Sequence, residues 1–295
     1  MLRATLAALF LLFVPVAVHA QETPPTRPYV RVVSLYAAHA ENLAFMGASQ
    51  VLAGISEPME GVNAPKVTAR DGAEAIAALK PDLVLARPML RIAEPGLLEQ
   101  LERLGVKVVC LQPGSPEELV PYWLELGRLT GRENEAKDMA ARFQTELAGL
   151  DAKISAIPTD SRKRVFFDAI HRQMKTVSPD SMAAFALKHA GAVNLAADAQ
   201  PVSGTNIAFF GLEKVVALGD RLDVYIAQHG PMNRASIEDI RSTPGLSSLK
   251  AVREGKVFLV DEALTSRPTP RLLDGMREIA SILYPNLFPT GAAHQ

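Results

Sequence analysis

Cysteine is almost absent from this chain of 295 residues, and its charges nearly cancel, with 31 basic and 32 acidic side chains. The single cysteine, Cys110, lies in the apolar run VKVVCL and has no partner for an intramolecular disulfide. We interpret it as a small buried side chain of a strand. A net charge of −1 gives no reason to expect nucleic acid or an anionic membrane as the main partner.

Catalytic motifs are also missing. The chain has no G-x-S-x-G nucleophile turn, no P-loop and no H-E-x-x-H motif. The segment GLEKVVALG lacks the glycine spacing that a dinucleotide site requires. We therefore predict a protein that is not an enzyme, carries no intrinsic cofactor and binds no nucleic acid.

The segment MLRATLAALFLLFVPVAVHA predicts a signal peptide at residues 1–20, cleaved after Ala20. Its apolar run, residues 6–18, is too short to span a bilayer comfortably, and no stop-transfer segment follows. Because no cysteine follows the run, we expect no lipid anchor. The prediction is an exported protein that is soluble in the periplasm and is not a lipoprotein.

Short apolar runs alternate with helical segments of about ten residues along the rest of the chain. Such alternation is typical of a parallel sheet covered on both faces. It occurs twice, which predicts an α/β fold of two similar lobes, at residues 21–132 and 158–295, each with a parallel sheet flanked by helices.

One long helix is predicted between the lobes, at residues 133–157. An apolar stripe with steps of three or four residues runs along it, through Met139, Phe143, Leu147, Leu150, Ile154 and Ile157. At 1.5 Å per residue this helix would span roughly 35–40 Å, long enough to act as a stiff bridge.

Ligands of open α/β sheets bind beyond the carboxyl ends of the strands, so the residues that follow each strand are the candidate site. In the first lobe these are Tyr36, His39, Glu57, Met59, Arg87, Met89, Arg91 and Gln112. In the second lobe they are His171, Lys175, Phe209, Phe210, His229, Met232, Arg234, Ser266 and Arg267.

Five of the candidates are basic, and we expect them to converge on one cleft: Arg87, Arg91, Lys175, Arg234 and Arg267. Such local charge suits an anionic chelate or a carboxylate, which arginine binds through two parallel hydrogen bonds. The alternative is that several are solvated loop residues. Apolar walls are expected from Met59, Met89, Met232 and one of Phe209 and Phe210, the other phenylalanine lying in the core.

Three candidates are histidines, His39, His171 and His229. Neutral imidazoles at three strand ends could complete the coordination of a chelated metal or bind a bare transition-metal ion. The alternative is that each ring hydrogen-bonds the protein itself.

Several segments together resemble a known family. They are RVVSLYAAHAENLAFMGASQVLAGIS, EAIAALKPDLVLA, GLEKVVAL with LDVYI, and STPGLSSLKAVREGKVFLVDEA. With them the sequence resembles the periplasmic substrate-binding proteins of ABC importers whose two lobes are joined by one long helix. The resemblance implies binding of an iron–siderophore or similar anionic metal chelate in the interlobe cleft. Haem or cobalamin binding, and a role as a ligand sensor, remain as alternatives.

The resemblance also implies partners. In the family an acidic residue at the tip of each lobe docks on a permease dimer, and the matching positions are Glu74 in AEAIAAL and Glu213 in LEKVVAL. Two similar lobes suit a two-fold symmetric permease. The alternative is that each glutamate complements the dipole of its own helix. We expect a monomer that meets the membrane only through the permease.

Overall fold

The computed structural model describes residues 27–202 and 205–289, so the predicted signal peptide at 1–20 lies outside the described residues. The predicted α/β fold is confirmed. The elements of the first lobe are β1 Val32–Ser34, α1 Ala37–Phe45, β2 Leu52–Ile55, α2 Gly72–Ala78, β3 Leu83–Ala86, α3 Pro88–Ala93, α4 Pro95–Arg103, β4 Lys107–Cys110 and α5 Leu119–Thr130. Its four strands are all parallel and lie in the order β2-β1-β3-β4.

A second lobe repeats this arrangement after the long helix α6. Its elements are β5 Arg164–Asp168, β6 Lys175–Val177, α7 Met182–His189, β7 Val193–Asn194, β8 Gln200–Pro201, β9 Ile207–Phe209, α8 Leu212–Val216, β10 Val224–His229, α9 Ile237–Ser242, α10 Lys250–Arg253, β11 Val257–Asp261, α11 Glu262–Thr265 and α12 Leu272–Leu283. A parallel sheet has the order β11-β10-β5-β7, and a small antiparallel sheet, β6-β9-β8, lies beside it.

The interlobe helix α6 runs Glu133–Ser155, 23 residues, or about 35 Å at 1.5 Å per residue. The apolar stripe is buried at five of its six positions, and Leu147 is half-buried. The helix packs on α5 and on α7 and α12 of the second lobe. One apolar face thereby joins the cores of both lobes.

Central strands are apolar on both faces because helices cover each sheet. All four residues of β3 are buried, as are the apolar residues of β5. In β2 a Cβ added to Gly54 would lie 2.7 Å from the Leu79 side chain and 2.8 Å from that of Val67. Glycine is therefore needed where α2 packs closely on the sheet edge.

Each lobe contains a helix-to-strand unit whose helix begins with an exposed glutamate. Glu74 lies in the first turn of α2, which leads to β3, and Glu213 lies in the first turn of α8, which leads to β10. Glu74 accepts a hydrogen bond from the Gln100 amide, at 3.0 Å. Glu213 has no ion pair within the described parts of the chain.

Candidate ligand-binding cleft

The carboxyl ends of β1 and β3 bring Tyr36 and Arg87 together, with the guanidinium carbon 4.9 Å from the centre of the tyrosine ring. Burial raises the pKa of Tyr36 to about 12, and the charges of Arg87 and Arg267 act against this rise. The carboxylates of Glu41 and Glu262 act in the same direction as burial. Cations and carboxylates from both lobes therefore surround one hydroxyl group.

Arg267, in the segment that follows α11, forms ion pairs with two glutamates of the first lobe. Its Nη1 lies 2.6 Å from Glu41 Oε1, and its Nη2 lies 2.6 Å from Glu57 Oε2. Burial disfavours the charged guanidinium, but the hydrogen bonds to Glu57 and Glu41 raise the pKa of Arg267 above its ordinary value. We call Tyr36, Arg87, Glu57, Glu262 and Arg267 the cleft floor.

The backbone next to Arg267 is held by the first lobe. The Pro268 carbonyl oxygen accepts hydrogen bonds from the Asn42 amide at 3.0 Å and from the Trp123 indole N–H at 3.1 Å. Asn42 and Trp123 are both fully buried. We call these three residues the interlobe junction, because it ties the second lobe to the first at a place distinct from α6.

The expected convergence of five cations is not observed. Only Arg87 and Arg267 lie on the cleft floor, whereas Arg91 pairs with Glu102 at 3.0 Å on the surface of the first lobe. The Lys175 ammonium lies 4.8 Å from the centre of the Phe209 ring. A position after a strand does not reveal which carboxylate or ring the side chain will meet.

The cleft floor contains equal numbers of arginines and carboxylates. Glu57 and Glu262 offset Arg87 and Arg267, and the buried Glu41 faces Arg271 at 3.8 Å as well as Arg267. The cleft floor is therefore close to neutral.

The three candidate histidines do not meet. His39 is fully buried, and its Nε2 donates to the Leu111 carbonyl at 2.9 Å. His171 is buried between Asp168 and Thr243, at 2.6 and 2.9 Å from its ring nitrogens. His229 is exposed at the end of β10.

Within residues 27–202 and 205–289 no group of three or more His, Cys, Asp or Glu side chains is arranged to hold a metal ion. The alternative of a bare metal site at these histidines therefore has no structural basis.

Burial lowers the pKa of His39 to about 4, and this predicts a loss of stability in acid. Above pH 6.5 the ring is neutral in both the folded and the unfolded states. As the pH falls from 6.5 towards 4 the unfolded chain binds a proton that the folded protein excludes, so stability decreases. Between pH 7 and pH 5 this group should cost about 2 kcal/mol.

Urea unfolding of the wild type and of His39→Gln at both pH values measures this cost. The glutamine amide can still donate to Leu111 but does not titrate, so the variant should lack this part of the pH dependence. Equal pH dependence in the two proteins would contradict the assignment.

Three of the apolar candidates beyond the strand ends are exposed. Met89, Phe209 and Met232 are exposed, whereas Met59 is half-buried against the core. One phenylalanine of the pair packs inward and the other is exposed. Phe210 packs on Phe166, with ring centres 5.3 Å apart, and Phe209 faces outward.

The remaining candidates are polar and half-buried. Ser266 donates to the Gln228 side-chain oxygen at 2.8 Å, and Gln228 in turn donates to the Ala169 carbonyl at 2.9 Å. Gln112, after β4, is half-buried.

A side pocket of about 820 Å³ opens in the second lobe. His171, Met232 and Arg234 line it, and so do residues that sequence analysis missed, such as Arg172, Asn233 and Thr243. Among the described residues Arg234 forms no ion pair, so its guanidinium in this pocket is not paired with a carboxylate of that part of the chain.

Sequence analysis also missed the polar residues of α1 and an apolar residue of α3. Glu41 and Asn42 lie inside a helix and reach Arg267 and Pro268 across the lobes. The available signal was the run HAEN, three polar side chains in an otherwise apolar, alanine-rich helix. Ile92 is 84% exposed on α3, a helix that sequence analysis did not predict.

Two lobes with parallel sheets, one bridging helix and a cleft at the strand ends define a two-lobed solute-binding protein. The chain belongs to the family Periplasmic binding protein, whose sequence profile matches residues 32–264.

Known proteins of similar sequence or structure agree with this assignment. An ABC transporter substrate-binding lipoprotein of Bacillus subtilis is 26% identical over 265 residues, covering 88% of this chain and 81% of the relative. A vitamin B12-binding protein of Vibrio parahaemolyticus is 27% identical over 265 residues, covering 87% of this chain and 90% of the relative. The crystal structure of a possible iron-binding periplasmic solute-binding protein of Staphylococcus epidermidis has a TM-score of 0.73 at 23% identity, covering 88% of this chain and 100% of that one.

These findings confirm the predicted family and the predicted role, that of the substrate-binding component of an ABC importer. The family is one of solute-binding proteins, and an ABC transporter implies a permease as partner.

The predicted localisation is wrong. We expected a soluble periplasmic protein without a lipid anchor, but the Bacillus subtilis relative is a lipoprotein, which points to a lipid-anchored protein. Our prediction depended on one feature of the leader, the absence of a cysteine after the apolar run. The absence of that cysteine does not tell how relatives with the same two-lobed domain are attached to the membrane.

No helix in residues 27–202 or 205–289 is long and apolar enough to cross a membrane.

Proposed function

We propose that this protein captures a corrinoid of the cobalamin type in the interlobe cleft and delivers it to the permease of an ABC importer. The near-neutral cleft floor carries the proposal, because Glu57 and Glu262 offset Arg87 and Arg267. Cobalamin presents mostly uncharged amide groups at the edge of its macrocycle. The relative from Vibrio parahaemolyticus, a vitamin B12-binding protein, supports the same ligand.

Exposed apolar side chains beyond the strand ends suit a flat macrocycle. Large ligands are held by apolar walls with a few polar groups that fix their orientation. Met89 from the first lobe and Phe209 and Met232 from the second offer exposed apolar surface. Tyr36 and Ser266 offer hydroxyl groups to ligand amides. Binding of this kind needs no covalent chemistry and no intrinsic cofactor, which agrees with the expectation from the sequence that the protein is not an enzyme.

The test is isothermal titration of the purified protein with cyanocobalamin, haemin, an uncharged ferric hydroxamate and Zn²⁺. We expect cyanocobalamin to bind with a dissociation constant of about 1 μM or below, at least tenfold tighter than the other three. Preferential binding of another probe, or no binding of cyanocobalamin, would contradict the proposal. Haemin preference would assign the cleft to haem.

A second candidate ligand is an anionic ferric chelate. The observation in its favour is Arg87, which stacks on Tyr36 and has no carboxylate within ion-pair distance among the described residues. Arginine that is free of a carboxylate is suited to bind one from a ligand. Of the predicted ligand residues, Arg87 and Arg267 are the two cations that would contact such a chelate.

We further propose that Glu74 and Glu213 dock on a permease dimer and that one monomer serves both permease subunits. The two glutamates lie in equivalent first turns of the two lobes, at exposed positions. Stiff attachment through α6 would keep their spacing nearly constant, so a two-fold symmetric partner could recognise both at once.

A further inference from the structure

The two carboxylates that contact Arg267 are not equivalent. Its own side chain is 16% exposed and that of Glu41 is 10% exposed, whereas Glu57 is 47% exposed. Glu41 also lies 3.8 Å from Arg271, so it has a second cation nearby. Glu57 follows β2 at the cleft and has Arg267 as its one ion-pair partner among the described residues. The buried Glu41, shared with Arg271, pairs with Arg267 from the protein side, and the exposed Glu57 pairs with it from the cleft side.

Arg267 cannot easily turn away from this arrangement. The carbonyl of the next residue, Pro268, accepts two hydrogen bonds from buried donors of the interlobe junction. Proline also restricts the backbone of the residue before it. With Nη1 held by the buried Glu41, the guanidinium offers Nη2 to whichever anion lies in the cleft, and in this structure that anion is Glu57.

We propose that Glu57 is a specificity residue that excludes anionic chelates from the cleft. This inference rests on the proposed function, in which the ligand lies on the cleft floor. A ligand carboxylate at Arg267 has to displace the Glu57 carboxylate, and until it does so it meets a like charge. An uncharged ligand edge meets neither obstacle. Specificity of this kind comes from repulsion of the wrong ligand rather than attraction of the right one.

The test is the substitution Glu57→Gln, which removes the charge and keeps the shape of the side chain. Ferric citrate is the anionic probe, and an uncharged ferric hydroxamate is the iron-containing control for charge. We expect ferric citrate to bind Glu57→Gln at least tenfold tighter than it binds the wild type. The gain should decrease as salt is raised, because the freed cation is partly exposed. Glu60→Gln is the matched control: it removes the same charge from an exposed position three residues away and should leave citrate binding within twofold of the wild type.

Three outcomes would overturn the inference. They are unchanged citrate binding in Glu57→Gln, an equal gain for the citrate and hydroxamate probes, and an equal gain in Glu60→Gln. Thermal unfolding of each variant shows whether it is folded, and a gain of binding is not produced by loss of structure. Cyanocobalamin titrated into the wild type in the same series tests the proposed function separately. If cyanocobalamin does not bind, the comparison of citrate binding between wild type and Glu57→Gln can still be interpreted. If cyanocobalamin does bind, a gain of citrate binding in Glu57→Gln does not follow from it.

Discussion

Trp123→Ala should lower the free energy of unfolding by about 3–5 kcal/mol, the largest stability effect we expect from a single substitution in this protein. Trp123 is fully buried in α5 and packs on Phe143 of α6, with ring centres 5.1 Å apart. Its indole N–H also donates to the Pro268 carbonyl, so the substitution opens a cavity and removes one hydrogen bond of the interlobe junction. Urea unfolding followed by circular dichroism measures the effect, since the variant has no tryptophan left to fluoresce.

Trp123→Phe separates the two causes. It keeps most of the apolar volume and removes the indole donor, while the Asn42 amide still donates to the same carbonyl. We expect a loss of about 1–2 kcal/mol for this variant. If alanine and phenylalanine cost the same, packing at the junction of α5 and α6 contributes little and the interpretation is wrong.

Charge reversal at both lobe tips, Glu74→Lys with Glu213→Lys, should reduce ligand uptake more than tenfold and leave ligand affinity unchanged. Both glutamates are exposed, and lysine there would face the basic pockets that the family resemblance implies on the permease. Charged groups at the edge of an interface mainly govern encounter and the exclusion of wrong partners, so reversal replaces attraction by repulsion. Uptake is measured in cells in which this chain is the one binding protein for its importer.

Asp138→Lys provides the matched control. Asp138 is exposed on α6, away from the first turns of α2 and α8, and its reversal changes the net charge by the same amount per site. Uptake should be normal in this variant. Normal uptake in the double variant at the lobe tips would contradict the docking role of the two glutamates.

Much of the fold could be predicted because it depends on local patterns. Apolar runs such as DLVLA and RVFFDA are buried in helix-covered sheets, and the stripe of α6 faces both cores. The small sheet β6-β9-β8 escaped prediction because its strands have two or three residues and form only through pairing with each other. The helix α3 was not predicted; it has only six residues and begins at Pro88, and proline is common in the first turn of a helix.

The candidate site was predictable only in part, for a reason that Arg267 illustrates. Its place after β11 predicted a cleft residue, and its side chain forms ion pairs with Glu41 and Glu57 of the first lobe. Its partner Glu41, however, is 226 residues away in sequence, inside a helix. His171 similarly meets Thr243, 72 residues further along the chain. The charge that a ligand encounters depends on these distant partners, and no periodicity in the sequence records them.

The interlobe junction also limits how the two lobes can move. The first lobe is joined to the second along α6, and it is joined again where Asn42 and Trp123 hold the Pro268 carbonyl. A body attached to another at two separate places keeps one easy motion, rotation about the line through both places. Sliding of one lobe past the other, or a general widening of the cleft, would break the two buried hydrogen bonds. We therefore expect relative motion of the two lobes to be mainly a tilt about that line.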